Sequence, residues 1–213
     1  MGRSRPQITD LFLVRHGRTD WNAEGRFQGA IERELDDAGI GQAEGAAEKL
    51  AIEPLSAIYS SHMIRARQTA KIIAGRHCVP IVCAYELREG TYGPIDGMMK
   101  EEFQARFAKE LRERDALPLE QRFHYRLIDG AETNAEILDR VLPCLQTICK
   151  NHVGERIAVV THGWVMRTLF VYLSRYKVDH VQIENGAILH LQATGGDLTI
   201  HHHHGIQVGI ELD

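Results

Sequence analysis

The feature that most limits what this chain can fold into is an alternation: short apolar runs of strand length recur between longer stretches of helical periodicity. Residues 8–14, 55–59, 81–84 and 156–161 read as strands, and residues 38–51, 63–74, 99–114, 134–151 and 164–174 as helices. Asp36 or Asp37 supplies the cap of the first helix. Two further strands, 187–192 and 198–202, flank Thr194-Gly195-Gly196-Asp197, which reads as a hairpin turn. Parallel neighbours need crossover helices, so the pattern predicts an α/β three-layer sandwich: a mainly parallel central sheet flanked by helices, with an antiparallel edge near the C-terminus. With 213 residues, 44% of them hydrophobic, the chain holds one core of good size, and we read residues 1–213 as a single domain. Helical, charge-rich sequence at about 98–129 falls outside the alternation and is expected to form a small helical cap.

The same runs exclude several classes. None approaches the roughly 20 apolar residues that a membrane-spanning helix needs. The basic start, Met1 to Pro6, leads into no long apolar segment, and neither Ser nor Thr stands at the last position of a myristoylation signal beginning at Gly2. The expectation is a cytoplasmic protein with no membrane partner. A formal net charge of −4, without long runs of one sign, argues against a nucleic-acid partner. Cys78, Cys83, Cys144 and Cys149 lack metal-ligand spacing and read as reduced, mostly buried thiols.

Ligands on such sheets gather at the carboxyl ends of the strands. The first strand ends in Arg15-His16-Gly17, the second runs into Ser60-Ser61-His62-Met63-Ile64-Arg65, and the strand at 156–161 ends in Thr161-His162-Gly163. Arg65 falls in the first turn of a helix, the end where the helix dipole prefers an anion, so guanidinium and backbone N–H groups suit a common external anion. Two guanidiniums and two imidazoles converging at strand ends fit a phosphate, with forked hydrogen bonds, a nucleophile and a further donor. Glu89, in a glycine-rich loop, becomes the candidate general acid beside such a group.

Taken together, these pieces resemble the histidine phosphatase, or phosphoglycerate mutase-like, superfamily. The resemblance runs from about Leu11 to Leu191. It rests on Leu13 to Asn22, Arg26-Phe27-Gln28-Gly29, Gly39 to Ala43, Ser60 to Ala70, Leu87 to Gly97, Gly130 to Thr133 and Thr161-His162-Gly163, in the family's order. It implies that His16 is the nucleophile and forms a phosphohistidine. Arg15, Arg65 and His162 then complete the phosphate pocket, and Glu89 protonates the leaving group. Asn22, Thr19, Gln28, Gly29 and Gly163 are implied as phosphate- or substrate-binding positions. No metal or organic cofactor is implied, and the expected partner is a small phosphorylated metabolite. Departures from the family pattern are His62-Met63, Asp96, Ala131, Thr133 and Glu34 to Asp37.

The resemblance leaves hydrolysis and mutase chemistry both open. Mutases typically carry an Arg-Arg pair in the insert, and here Arg106, Arg112, Arg114, Arg122 and Arg126 are scattered, which favours a metal-independent phosphomonoesterase over a cofactor-dependent phosphoglycerate mutase. The insert should choose the substrate among sugar phosphates, phosphoglycerates, phosphoserine and nucleotide-like monoesters. Phe123, His124, Tyr125 and Arg126 are placed either to line it or to pack the cap down. A non-catalytic binding module is disfavoured because every catalytic position is filled. The run His201 to His204 reads as an exposed strand rather than a metal site, since alternation sends only two of the four to one face. The apolar tail, 205–212, suits a further strand or a homodimer contact.

Overall fold

The computed structural model describes residues 7–209. In chain order the elements are β1 (Thr9–Arg15), α1 (Asp20–Ala23), α2 (Asp37–Leu50), β2 (Leu55–Ser60), α3 (Ile64–Ala74), β3 (Ile81–Cys83), α4 (Lys100–Arg106), α5 (Ala108–Asp115), α6 (Leu119–Arg122), α7 (Asn134–Asn151), β4 (Arg156–Thr161), α8 (Gly163–Leu173), β5 (His180–Thr194) and β6 (Asp197–Gly209). They form the expected sandwich. Six strands lie in the order β3-β2-β4-β1-β5-β6. The first four run parallel, and β5 and β6 are antiparallel to their neighbours.

Strand alternation sorts the core onto two faces. Leu11 and Leu13 of β1, with Ile157 and Val159 of β4, pack against Ile137, Val141 and Leu145 of α7 and Val165 and Leu169 of α8. Phe12 and Val14, with Ala158 and Val160, turn the other way onto Ala46 and Ala47 of α2 and Ala66, Ala70 and Ile73 of α3. The small residues on α2 and α3 let both helices lie close to the sheet. Asp36 is the cap of α2, its carboxylate accepting from the Gly39 N–H at 2.7 Å. None of the helices among the described residues is long and apolar enough to cross a membrane.

Three expectations need correction. The C-terminal strands are far longer than the 187–192 and 198–202 read from sequence. Glu184-Asn185-Gly186 looks like a loop, yet the pairing continues across it after a register shift between Ile183 and Ile188. The stretch 99–114 is not one helix: the chain breaks at Phe107 into α4 and α5, although neither Gly nor Pro marks the place. The cysteines are free, but Cys78 and Cys83 are exposed: Cys78 lies in the loop before β3, and Cys83 on β3 itself, an edge strand with all three residues open to solvent.

The hairpin turn is as read, with Gly195 and Gly196 at φ +62° and +100° between the paired Thr194 and Asp197. In β6, His203 meets Phe170 edge-on at 5.5 Å and His201 meets His190 at 4.8 Å. No group of three or more His, Cys, Asp or Glu residues is placed to hold a metal ion among the described residues. The tail supplies the end of β6 as far as Gly209; residues 210–213, like the basic start at 1–6, lie outside the described residues.

A third, small core of Ile95, Phe103, Ile128 and Ala131 joins α4 to the segments before and after the cap elements α4 to α6, with Phe27, Tyr92 and Phe107 packed around it. Between this cap and α8 runs a cleft of about 1150 Å³.

Candidate active site

Parallel register brings three strand ends level. Arg15 stands opposite Thr161, and Ser60 opposite Val160, so the residues that follow each strand emerge at one edge. The backbones are tied there: the His16 N–H donates to the Thr161 carbonyl at 3.0 Å, and the Ser61 N–H to the Val160 carbonyl at 2.9 Å. His16 and His162 are thereby set ring against ring, 5.1 Å between centroids and 61° apart.

His16 is buried, and its Nδ1 lies 2.7 Å from the Gly17 carbonyl. A carbonyl can only accept, so Nδ1 carries the proton and Nε2 keeps its lone pair. Burial, then the charges of Arg65 and Arg15, hold this histidine well below the ordinary imidazole range. The ring is therefore neutral and nucleophilic at physiological pH. Gly17 cannot be larger: a Cβ there would sit 2.1 Å from the Gly39 carbonyl oxygen.

Arg65 is fully buried on the first turn of α3. Its guanidinium donates to the Ile31 carbonyl at 2.9 Å and the Gly29 carbonyl at 3.0 Å, while Nε has no protein partner among the described residues. Arg15 donates through Nη1 to the Ile183 carbonyl at 2.5 Å, and its Nε is likewise buried and unpartnered. Gly163 makes room for it, since a Cβ at that position would stand 3.1 Å from Arg15 Nε. His162 places Nε2 2.8 Å from Ser61 Oγ and leaves Nδ1 buried without a partner. Burial comes first, and the Arg65 charge next, in holding His162 well below the usual range too. Three buried nitrogens, on Arg15, Arg65 and His162, are thus left for an external oxyanion.

Glu89 sits across from these cations. Its carboxylate accepts from the Gly90 N–H at 3.0 Å and the Trp164 N–H at 3.3 Å, the latter at the N-terminus of α8. Its negative charge is felt by both Arg15 and Arg65. The loop that carries it is bracketed by a residue that motif reading missed. Arg140, on α7, donates to the carbonyls of Glu86 (2.5 Å), Arg88 (2.9 Å) and Glu89 (3.2 Å), and pairs with Glu132 at 2.9 Å. Glu132 also takes Arg88 at 3.2 Å and the Thr91 N–H at 3.0 Å. The 130–133 segment therefore holds the acid loop, and Thr133 caps α7 in a reciprocal pair with Glu136. Replacing Arg140 by Ala should lower kcat about 10- to 100-fold with a smaller change in KM, and cost about 1 kcal/mol of stability as part-buried carbonyls and Glu132 lose their donor. Steady-state kinetics beside thermal melts would check both, and Arg140→Lys should recover only part.

The remaining sequence-read positions support rather than face the pocket. Thr19 and Asn22 form a reciprocal cap on α1, Gln28 Nε2 donates to Thr19 Oγ1, and the Gly29 carbonyl serves Arg65. Asn22 takes two N–H donors on Oδ1, from Thr19 and from Asn185 (3.2 Å). Asn185 also donates to the His16 carbonyl at 3.0 Å. Both Asn185 and the Ile183 carbonyl reach the site through the irregularity in β5, where Gly186 has φ +76°. An Asn-Gly pair inside an apolar stretch was the one sequence sign of it. Of the cap residues, Phe123 is buried against Tyr176, Arg126 pairs with Glu136, and His124 is exposed.

The profile of the histidine phosphatase superfamily (branch 1) matches residues 11–204. This chain belongs to that superfamily. The chain is 35% identical over 171 residues to the metal-independent phosphoserine phosphatase of Arabidopsis thaliana, covering 79% of this chain and 70% of that one. It is 30% identical over 205 residues to a 2,3-bisphosphoglycerate-dependent phosphoglycerate mutase of Azorhizobium caulinodans, covering 89% and 94%. The solved structure of a mutant phosphoserine phosphatase from Entamoeba histolytica, in complex with phosphoserine, matches with a TM-score of 0.75 at 25% identity, covering 92% and 96%.

Proposed function

We propose that this histidine phosphatase is a metal-independent phosphomonoesterase that works through a phosphohistidine, on a small phosphorylated acid of the phosphoserine or phosphoglycerate kind. The observation that carries the reading is the neutral His16, Nε2 free, beside the unpartnered Arg15 Nε, Arg65 Nε and His162 Nδ1. In the first half-reaction His16 Nε2 attacks phosphorus and the P–O ester bond breaks. Glu89 gives its proton to the departing alkoxide, so the alcohol leaves neutral. In the second, water attacks the phosphohistidine, Glu89 takes the proton from that water, and inorganic phosphate leaves with His16 restored. The guanidiniums neutralise the charge that builds on the equatorial oxygens.

The substrate's own acid group has candidates as well. Lys100 and Arg167 line the cleft beside Tyr92 and Trp164, and neither makes an ion pair among the described residues. By contrast Arg122 and Arg126 of the insert pair with Asp179 and Glu136 outside it and so fasten the cap, while Arg114 pairs with its neighbour Asp115. The scattered arginines of the insert favour water over a second glycerate as the acceptor. We read the chain as one domain whose cap, at about 98–129, selects the substrate.

The test is phosphate release from a panel of phosphomonoesters in EDTA, with phosphoglycerate exchange in bisphosphoglycerate assayed in parallel. Hydrolysis strongest for phosphorylated acids supports the reading, and exchange without hydrolysis overturns it. Arg167→Ala should raise KM for phosphoserine or phosphoglycerate about tenfold while leaving p-nitrophenyl phosphate nearly unchanged, because a rim cation contributes to binding of the acid and not to the chemistry.

A further inference from the structure

We infer that Ser61 is a positioning residue that sets the tautomer of His162 and so turns an N–H, rather than a lone pair, toward the phosphoryl group. This rests on the phosphatase reading above for its catalytic consequence, while the tautomer itself stands on the geometry alone.

The argument is one of hydrogen-bond accounting. Ser61 and His162 are both fully buried, so no bulk water serves either. The Met63 N–H donates to Ser61 Oγ at 3.3 Å and occupies one of its two lone pairs. The hydroxyl hydrogen still needs an acceptor, and the only one in reach among the described residues is His162 Nε2, at 2.8 Å. Were Nε2 protonated instead, Ser61 Oγ would accept twice and its own O–H would be buried with nowhere to go, an arrangement that folded proteins avoid. Ser61 therefore donates to Nε2. Burial and the neighbouring Arg65 keep His162 from taking a second proton, so the single ring proton goes to Nδ1.

That Nδ1 is the atom the protein leaves buried and unpartnered, on a ring packed 5.1 Å from His16. A phosphoryl oxygen bound between the two histidines then meets an N–H, whereas the other tautomer would present a lone pair to an anion. Ser61 can do this because it does not move. Its N–H is bonded to the Val160 carbonyl at 2.9 Å, and its carbonyl accepts from Ser60 Oγ at 2.9 Å. His16 and His162 thus carry protons on the same ring position but face the substrate with opposite groups: His16 with a lone pair, His162 with a donor.

Nitrogen NMR of protein with isotope-labelled histidine, free and with inorganic phosphate, would read the tautomer directly, with Ser61→Ala and Ser61→Thr studied alongside. The expected result is a protonated Nδ1 and pyridine-like Nε2 on His162 in the unaltered protein. Ser61→Ala should lose that preference and lower kcat on phosphomonoesters about 10- to 100-fold with KM less affected, and Ser61→Thr should restore both. A protonated Nε2 in the unaltered protein overturns the inference without any variant. So does Ser61→Ala turning over at the unaltered rate. If the unaltered protein hydrolyses no phosphomonoester, the phosphatase reading fails, and the NMR result still decides the Ser61 assignment.

Discussion

His16→Ala should lower kcat for phosphomonoester hydrolysis by about 10⁴-fold or more, the largest loss expected from any single change in this protein. The reason is that no other group near it can form the covalent intermediate. His162 offers a donor and not a lone pair, and Arg15 and Arg65 stay protonated, so removing Nε2 removes the reaction path and not merely a favourable contact. The side chain is almost fully buried and small enough that Ala leaves a cavity bounded by polar groups, which water or free phosphate can fill, so the variant should remain folded. Rapid mixing with radiolabelled substrate and an alkaline quench would show label on the unaltered protein and none on the variant. Turnover within about tenfold of the unaltered rate, or undiminished labelling, would show that the nucleophile lies elsewhere. The pH profile adds a separate check. Because burial and the Arg65 and Arg15 charges lower the His16 pKa, the rate should hold at mildly acidic pH, where an ordinary imidazole is half protonated.

Why the pocket could be read from sequence at all is a matter of spacing. Arg15, His16, Arg65 and His162 each lie at, or just beyond, the end of a strand whose apolar run is unmistakable, and parallel pairing brings strand ends together whatever the loops do. The supporting shell has no such signature. Arg140 sits mid-helix and looks like any surface arginine, and only the folded acid loop supplies the carbonyls it holds. Ser61 is one of two adjacent serines, and which of them reaches His162 depends on how β2 ends. Asn185 lies just before the 187–192 read as strand, so its place in a longer strand reaching the site was not legible. The break at Phe107 is a different case: local propensity favours continuing the helix there, and tertiary packing of the cap decides otherwise.

Glu89→Gln carries the second-largest effect, and its size should depend on what is leaving. An alkoxide departs poorly without a proton, so hydrolysis of phosphoserine or phosphoglycerate should fall about 10²- to 10⁴-fold. The p-nitrophenolate ion needs no proton, and p-nitrophenyl phosphate should lose much less in the first half-reaction. Gln is the apt replacement because it keeps the length of the side chain and one oxygen, which can accept from the Gly90 or the Trp164 N–H though not from both, while Arg140 still brackets the loop. It also removes the negative charge that faces Arg15 and Arg65, which strengthens the pull of the pocket on the phosphate dianion. KM should therefore drop or hold while kcat falls, and labelled phosphohistidine should persist, since the same residue activates the water that clears it. An equal loss for both esters in the rate of phosphohistidine formation would mean that Glu89 only shapes the pocket, and the proton would have to come from Tyr92 or from solvent in the cleft. Tyr92 is the weaker acid of the two side chains, because burial foremost, and then the Glu89 charge, raise its pKa above the ordinary phenol value.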